Sequence, residues 1–278
     1  MKRLAFALML SLVLGACEEK HDQGWLGYGE GDFAMVSAPQ AGWVTELKVE
    51  RGTVVKRGDL LFVLDSTTQQ AGQEQASGAL DQARASLKQE QSNLVYARTE
   101  LARQESLARA HAGTPTQLDL ARTNEQQSVA KISQLQAQIG QMEANLKGAA
   151  YGLAQRQIVS QTEGPVQDIF FRPGEYVPAS TPVVSVLPPA NVYARFFVPE
   201  TELPKVKLGQ KVQVNCDGCK PMTATITFIA AQAEFTPPVI FSVNNREKLV
   251  YKLEARAPQG LAIHPGQPVT VKPLESGQ

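Results

Sequence analysis

Several things are scarce in this chain of 278 residues, and each scarcity excludes something. Histidine occurs three times, at His21, His111 and His264, and these lie too far apart in sequence to form a spaced ligand cluster. No metal site is expected. No apolar run reaches the roughly 18 residues that a membrane-spanning helix takes. Neither sign of charge is in excess: Lys and Arg together number 27, as do Asp and Glu. A formal net charge of zero argues against nucleic acid as a partner, and 43% apolar residues argue against disorder. A nucleophile elbow, a phosphate loop and a pair of catalytic acids are all missing, and Asp217 and Glu234 read as surface charges. No catalytic residue and no cofactor are assigned, so an enzyme is not expected. Proline is scarce in the first half. Of 17 prolines only Pro39 and Pro115 precede residue 165, which leaves room there for a long helical block.

What is present begins at the N-terminus. Lys2 and Arg3 precede an apolar run from Leu4 to Leu14, interrupted by Ser11. A run of about eleven residues after basic residues reads as a signal peptide, too short to span a bilayer. It ends in Leu14-Gly15-Ala16-Cys17, which resembles the lipobox of bacterial lipoproteins. That resemblance implies cleavage after Ala16 and lipidation of Cys17, which makes residues 1–16 the signal and 17–35 an anchor and linker. The alternative is an ordinary secreted protein. With Cys17 acylated, each buried CH₂ adds about 0.8 kcal/mol of membrane affinity. Glu18 follows it, and leaves open which membrane retains the anchor. Only Cys216 and Cys219 then remain free to pair. They flank Asp217-Gly218 after the alternating Val212-Gln213-Val214, so a disulfide across a two-residue hairpin turn is expected. The alternatives are a redox dithiol and half of a zinc site.

Residues 66–157 are dense in Ala, Gln, Glu and Leu. Leu80, Leu87, Leu94 and Leu101 recur every seventh position, with Ala83 and Ala97 between them. Ile132, Leu135, Ile139, Met142, Leu146 and Leu153 continue the pattern. These are the stripes of a coiled coil, and a stripe of this kind is packing. Ser66 with Gln69 reads as a capping box, Gly113 as the C′ residue that stops the first helix, and Thr114-Pro115-Thr116-Gln117 as the start of the second. Two helices of roughly 40 to 45 residues would each reach about 60 Å at 1.5 Å per residue.

The segments on either side of the helices repeat. Residues 41–55 superpose without a gap on residues 163–177, at a constant offset of 122 positions. Gly42 matches Gly164, Val44 matches Val166, Leu47 matches Ile169, Gly52 matches Gly174 and Val55 matches Val177. A short apolar strand ends each copy, Leu60 to Leu64 and Pro182 to Val186. From Gly42 to Leu64 the pattern resembles half of a biotinyl-lipoyl domain, in which a hairpin bearing a modified lysine joins two halves. Here the helices take that place, and the first lysine beyond the first half is Lys88, within the helical pattern. A swinging-arm carrier is therefore not expected.

Lipoyl-like halves split by a coiled-coil hairpin resemble the periplasmic adaptor, or membrane fusion protein, family of HlyD type, from about Val36 to Pro273. The resemblance implies an α+β fold: a long antiparallel α-helical coiled-coil hairpin inserted between the two halves of a lipoyl-like β domain, followed by a small β-barrel domain. Its boundaries are 36–65 and 158–187 for the lipoyl-like halves, 66–157 for the hairpin, 188–273 for the barrel and 274–278 for a tail. In such families the hairpin tip meets an outer-membrane channel through R-x-x-x-L-x-x-x-x-x-x-S, and Arg103, Leu107 and Thr114 stand at those spacings, with Thr for Ser. The same residues also fit plainer roles: a solvated face, a hydrophobic lid and an N-cap. Val198-Pro199-Glu200, Leu208-Gly209-Gln210-Lys211-Val212 and His264-Pro265-Gly266-Gln267-Pro268-Val269 resemble the adaptor barrel. Ala233-Glu234-Phe235-Thr236-Pro237-Pro238 is most similar to adaptors of ABC-type exporters. The implied partners are an inner-membrane transporter, favoured as ABC type, an outer-membrane channel, further copies in a six-membered ring, and the membrane through the lipid anchor. The implied location is the periplasmic side of the inner membrane. The competing reading is an envelope lipoprotein that tethers or spaces without transport.

Overall fold

The computed structural model describes residues 24–235 and 249–274. They form two compact units, one of residues up to Phe33 together with those from Leu187 onward, the other of Ala34–Val186. The signal peptide and Cys17 lie outside the described residues.

The second unit carries the repeat. Its strands are β2 (Ala34–Ser37), β3 (Gly42–Leu47), β4 (Val54–Val55) and β5 (Leu60–Leu64) before the helices, and β6 (Gln157–Val159), β7 (Gly164–Ile169), β8 (Tyr176–Val177) and β9 (Pro182–Val186) after them. Strands β3, β4 and β5 coincide with β7, β8 and β9 at the same offset of 122 positions. The pairing repeats as well. One sheet runs β2-β9-β7-β4 and the other β6-β5-β3-β8, so each is built from both halves and each is the image of the other. Gly42 faces Val177 as Gly164 faces Val55. A bulge falls between Val44 and Glu46 in one half and between Val166 and Asp168 in the other. The two sheets enclose one cluster that includes Val44, Val55, Phe62, Leu64, Val166, Val177, Val184 and Val186. Apolar residues alternating along paired strands bury one face of each sheet, which is why the pattern was legible.

One turn recurs across both units. In Glu50–Thr53, Lys56–Asp59, Arg172–Glu175, Lys207–Gln210 and His264–Gln267 the fourth N–H donates to the first carbonyl. The fourth side chain in turn accepts from the first N–H, at 2.7 to 3.2 Å. The third residue is always glycine with φ between 82° and 94°. A left-handed third position is what such a turn needs, and glycine reaches it without a Cβ penalty.

Between the halves stand α1 (Thr67–Arg109) and α2 (Pro115–Ala154). Leu80, Ala83 and Ala97 of α1 and Ala121 and Leu135 of α2 are buried in the seam between them. The other stripe residues, Leu87, Leu94, Leu101, Ile132, Ile139, Met142, Leu146 and Leu153, are half-buried. A two-helix hairpin has only one partner per helix, so its seam is closed on one side alone. Lys88 lies exposed in mid-helix, away from the strand ends where a carrier lysine would stand. The expected capping box at Ser66 does not form. Instead Asp65 Oδ1 accepts from the Thr67 N–H at 3.0 Å and from Thr67 Oγ1 at 2.7 Å, one residue earlier than expected.

The first unit is a closed antiparallel barrel. Its strands are β1 (Trp25–Gly31), β10 (Val192–Pro199), β11 (Lys211–Asn215), β12 (Met222–Phe235), β13 (Leu249–Arg256) and β14 (Pro268–Pro273), in the order β1-β10-β13-β12-β11-β14. Ala194, Phe196 and Val198 point inward to Val212, Val214, Ile226, Leu253 and Val271. Trp25 stacks on Phe196 with ring centroids 5.7 Å apart. Residues 25–31, read from sequence as anchor and linker, are thus a barrel strand. Its less exposed positions hold Trp25, Gly27, Gly29 and Gly31. A Cβ on Gly27 would lie 2.2 Å from the Arg195 carbonyl, so the wall is packed backbone against backbone. Such a strand lacks the apolar alternation by which strands are recognised.

Candidate docking site at the hairpin tip

The tip is made by two caps in succession. Helix α1 ends at Arg109, and His111 beyond it adopts φ 56°. The Ala112 N–H donates to the Leu107 carbonyl at 2.9 Å and the His111 N–H to the Ala108 carbonyl at 3.1 Å. This pair of bonds is a Schellman cap, with histidine at the left-handed position where Gly113 had been expected. Gly113 serves close approach instead: a Cβ there would stand 3.2 Å from that of Leu107. Thr114 caps α2. Its Oγ1 accepts from the Gln117 N–H at 3.3 Å, and Gln117 Oε1 accepts from the Thr114 N–H at 3.4 Å. Pro115 at the first helical position loses no bond, because its N–H would have been unpaired.

Arg103 and Leu107, four positions apart, share a face of the last turns of α1, and Leu107 is 38% exposed despite its position beside the cap. The Arg103 guanidinium pairs with Glu100, one turn earlier. Hydrogen bonds from Arg103 and then Gln104 hold the Glu100 carboxyl below its ordinary range. Sequence reasoning passed over that pairing, although Glu followed by Arg three positions on is a readable signal. It also passed over Tyr96, one heptad before Arg103 and 73% exposed, and Leu120 on α2, 61% exposed. Tyr96 and Glu100 line a groove of about 580 Å³ with Asn124, Gln127 and Lys131 of α2. The arrangement offers a charged, hydrogen-bonding and apolar surface at a helix-hairpin end. It has the character of a contact surface.

Elsewhere, Cys216 and Cys219 lie side by side with Cα atoms 5.4 Å apart, within the range a disulfide spans. Their setting differs from the expected two-residue hairpin. The β11–β12 ladder ends at Val214 and Met222, so the connection is longer. The Cys219 N–H bonds the Cys216 carbonyl at 3.2 Å and Gly218 alone takes a positive φ, 79°. Among the described residues no group of three or more His, Cys, Asp or Glu side chains could hold a metal ion, and no helix is long and apolar enough to cross a membrane.

No family model matches the chain. Its sequence is 33% identical over 205 residues to a UPF0194 membrane protein of Acidithiobacillus ferridurans, a match covering 72% of this chain and 55% of that one. With a UPF0194 membrane protein of Citrobacter koseri the identity is 26% over 314 residues, covering 96% of this chain and 95% of the relative. The crystal structure of MacA from Actinobacillus actinomycetemcomitans is similar with a TM-score of 0.69 at 22% identity, covering 89% of this chain and 76% of that one. The membrane fusion protein Spr0693 of Streptococcus pneumoniae gives a TM-score of 0.52 at 20% identity, covering 90% and 97%. The chain is therefore a protein of the membrane fusion, or periplasmic adaptor, fold whose sequence relatives are UPF0194 membrane proteins.

Proposed function

We propose that the chain is the adaptor of an envelope exporter, joining an inner-membrane transporter of ABC type to an outer-membrane channel for efflux or secretion. The observation that carries this reading is a pair of long helices, inserted whole between the halves of a lipoyl-like domain, ending in a capped tip that presents Arg103, Leu107 and Thr114. Likeness to MacA over most of the chain supports it. In this reading residues 1–16 are removed, Cys17 carries lipid and holds the protein at the periplasmic face of the inner membrane, and Cys216 and Cys219 are oxidised to a disulfide. Six copies form the ring. The domains follow the boundaries 36–65, 66–157, 158–187 and 188–273, with β1 added to the barrel. The chain itself does no chemistry, and the energy for export comes from the transporter.

The test is copurification from envelopes after mild solubilisation. An ATPase-linked permease and an outer-membrane channel should accompany the full chain, and replacement of Arg103, Leu107 and Thr114 together should lose the channel while keeping the permease. Recovery of the intact, abundant protein with neither partner would favour a tether or spacer. The intact mass of the same preparation reads both modifications: acyl chains on a chain beginning at Cys17, and two hydrogens missing at the cysteine pair.

A further inference from the structure

The root of the hairpin holds a buried guanidinium. Arg156, just beyond α2, is 8% exposed. Its Nη1 donates to the Ala41 carbonyl at 2.9 Å, and its Nε has no hydrogen-bond partner. A buried, incompletely paired cation costs stability, so an apolar residue of similar length would be the cheaper choice for packing alone.

Around it the chain passages at this end are tied to one another. Its own carbonyl accepts from the Leu64 N–H at 2.8 Å, at the end of β5, and the Asp65 N–H donates to the Trp43 carbonyl at 2.8 Å. Next to it Gln40 Nε2 donates to Gln155 Oε1 at 2.7 Å, tying the helix end to the residues before β3. The Asp65 carboxyl at the start of α1 is held below its ordinary range, first by the hydrogen bonds from Thr67 and, more weakly, by the charge of Arg156. Gly42 leaves the room: a Cβ there would stand 2.8 Å from Arg156 Nη1. The repeat supplies a control. Offset by 122 positions, Arg156 corresponds to Ala34, where the chain joins the other sheet without any hairpin. The large cationic side chain is found at the hairpin end alone.

We propose that Arg156 is a positioning residue, a latch that fixes the bearing of the helical hairpin on its β domain. The guanidinium carried just beyond α2 sits in a backbone socket at Ala41 and Gly42, while the Arg156 carbonyl holds the end of β5 that leads into α1, so that both helix ends and β3 move as one body. A docking arm with a fixed bearing presents its tip in one place. The importance of the latch rests on the docking reading, but its existence does not.

The experiment uses the purified chain with no partner, so its outcome is independent of whether the tip meets a channel. Nitroxides attached to unnatural ketone side chains at exposed positions 56 and 91 report the distance between the β domain and mid-hairpin. The distance distribution should be narrow in the native chain and at least twofold broader in Arg156→Met, with helix content unchanged by circular dichroism. Arg156→Lys, which keeps the charge and a donor, should restore much of the sharpness, and Gly42→Ala should broaden the distribution by displacing the guanidinium. An unchanged width in Arg156→Met overturns the proposal. If that variant does not fold, an unchanged width in Gly42→Ala overturns it.

Discussion

Serine stands at position 180 where the matching position in the other half, 58, is glycine, and both backbones have positive φ, 62° and 94°. Gly58 belongs to one of the recurring turns, closed by Asp59 on the Lys56 N–H at 2.7 Å. At the second copy Pro178 has no N–H to offer, so the closing bond is lost along with the glycine. A serine in this region is strained, and glycine relieves it. Ser180→Gly is expected to stabilise the β domain by about 0.5–1 kcal/mol, and Gly58→Ala to destabilise it by about 1 kcal/mol, both read from urea unfolding. Residue-level features were unevenly legible in the sequence. The capping box of Thr114 was readable because Thr, Pro and Gln occupy their own positions. The stop of α1 was not, because histidine takes the left-handed position that glycine usually fills and the neighbouring glycine misdirects.

At the scale of elements, the hairpin follows its heptads closely. Every stripe position read from sequence is buried or half-buried, since a seam of period 3.5 has only one place to go. Towards the tip the half-buried positions turn polar, with Glu90, Gln104, Glu125 and Ser128 among them. In the interhelical pairs Arg84–Glu143 at 3.0 Å and Arg98–Glu125 at 3.2 Å the arginines are exposed to solvent, and each pair adds under about 1 kcal/mol. Stability therefore lies in the buried leucines near the root and middle. Leu80→Ala should cost about 2 kcal/mol, the low end for a core leucine because the seam is open on one side, and should lower the melting temperature of the helical signal in circular dichroism. Strand β1 was the element that escaped sequence reading. Glycine at its barrel-facing positions removes the apolar alternation, and only the close approach to β10 explains why glycine is there.

For the molecule as a whole, the repeat is the organising fact. Two halves exchange strands so that neither sheet is complete without the other, and the buried cluster between them contains no residue of α1 or α2. Strands β5 and β6 are antiparallel neighbours, Leu60 facing Val159 and Val63 facing Gln157, so a two-residue turn could join them. Replacing residues 65–155 by Asn-Gly, which joins Leu64 to its ladder partner Arg156, should leave a β domain that still unfolds cooperatively in urea; a chain without a transition would show that the helices are part of its core. The helices are thus an insertion between paired strands that contributes nothing to the domain's buried cluster, which is the character of an arm. The repeat and the hairpin were readable from the sequence because each rests on apolar spacing, whereas the barrel was expected from resemblance. The root was not, since the socket for Arg156 is made of backbone atoms from positions far apart in the chain. The central claim is that the arm docks at its tip. Cysteine substitutions at Arg103, Leu107 and Thr114, with a bifunctional thiol reagent applied to living cells whose channel carries cysteines at its periplasmic end, test it directly. Crosslinks to the channel at these positions, and none from exposed Lys88 in mid-helix, are the expected result. An abundant, membrane-bound protein with no crosslink at any of the three would contradict it.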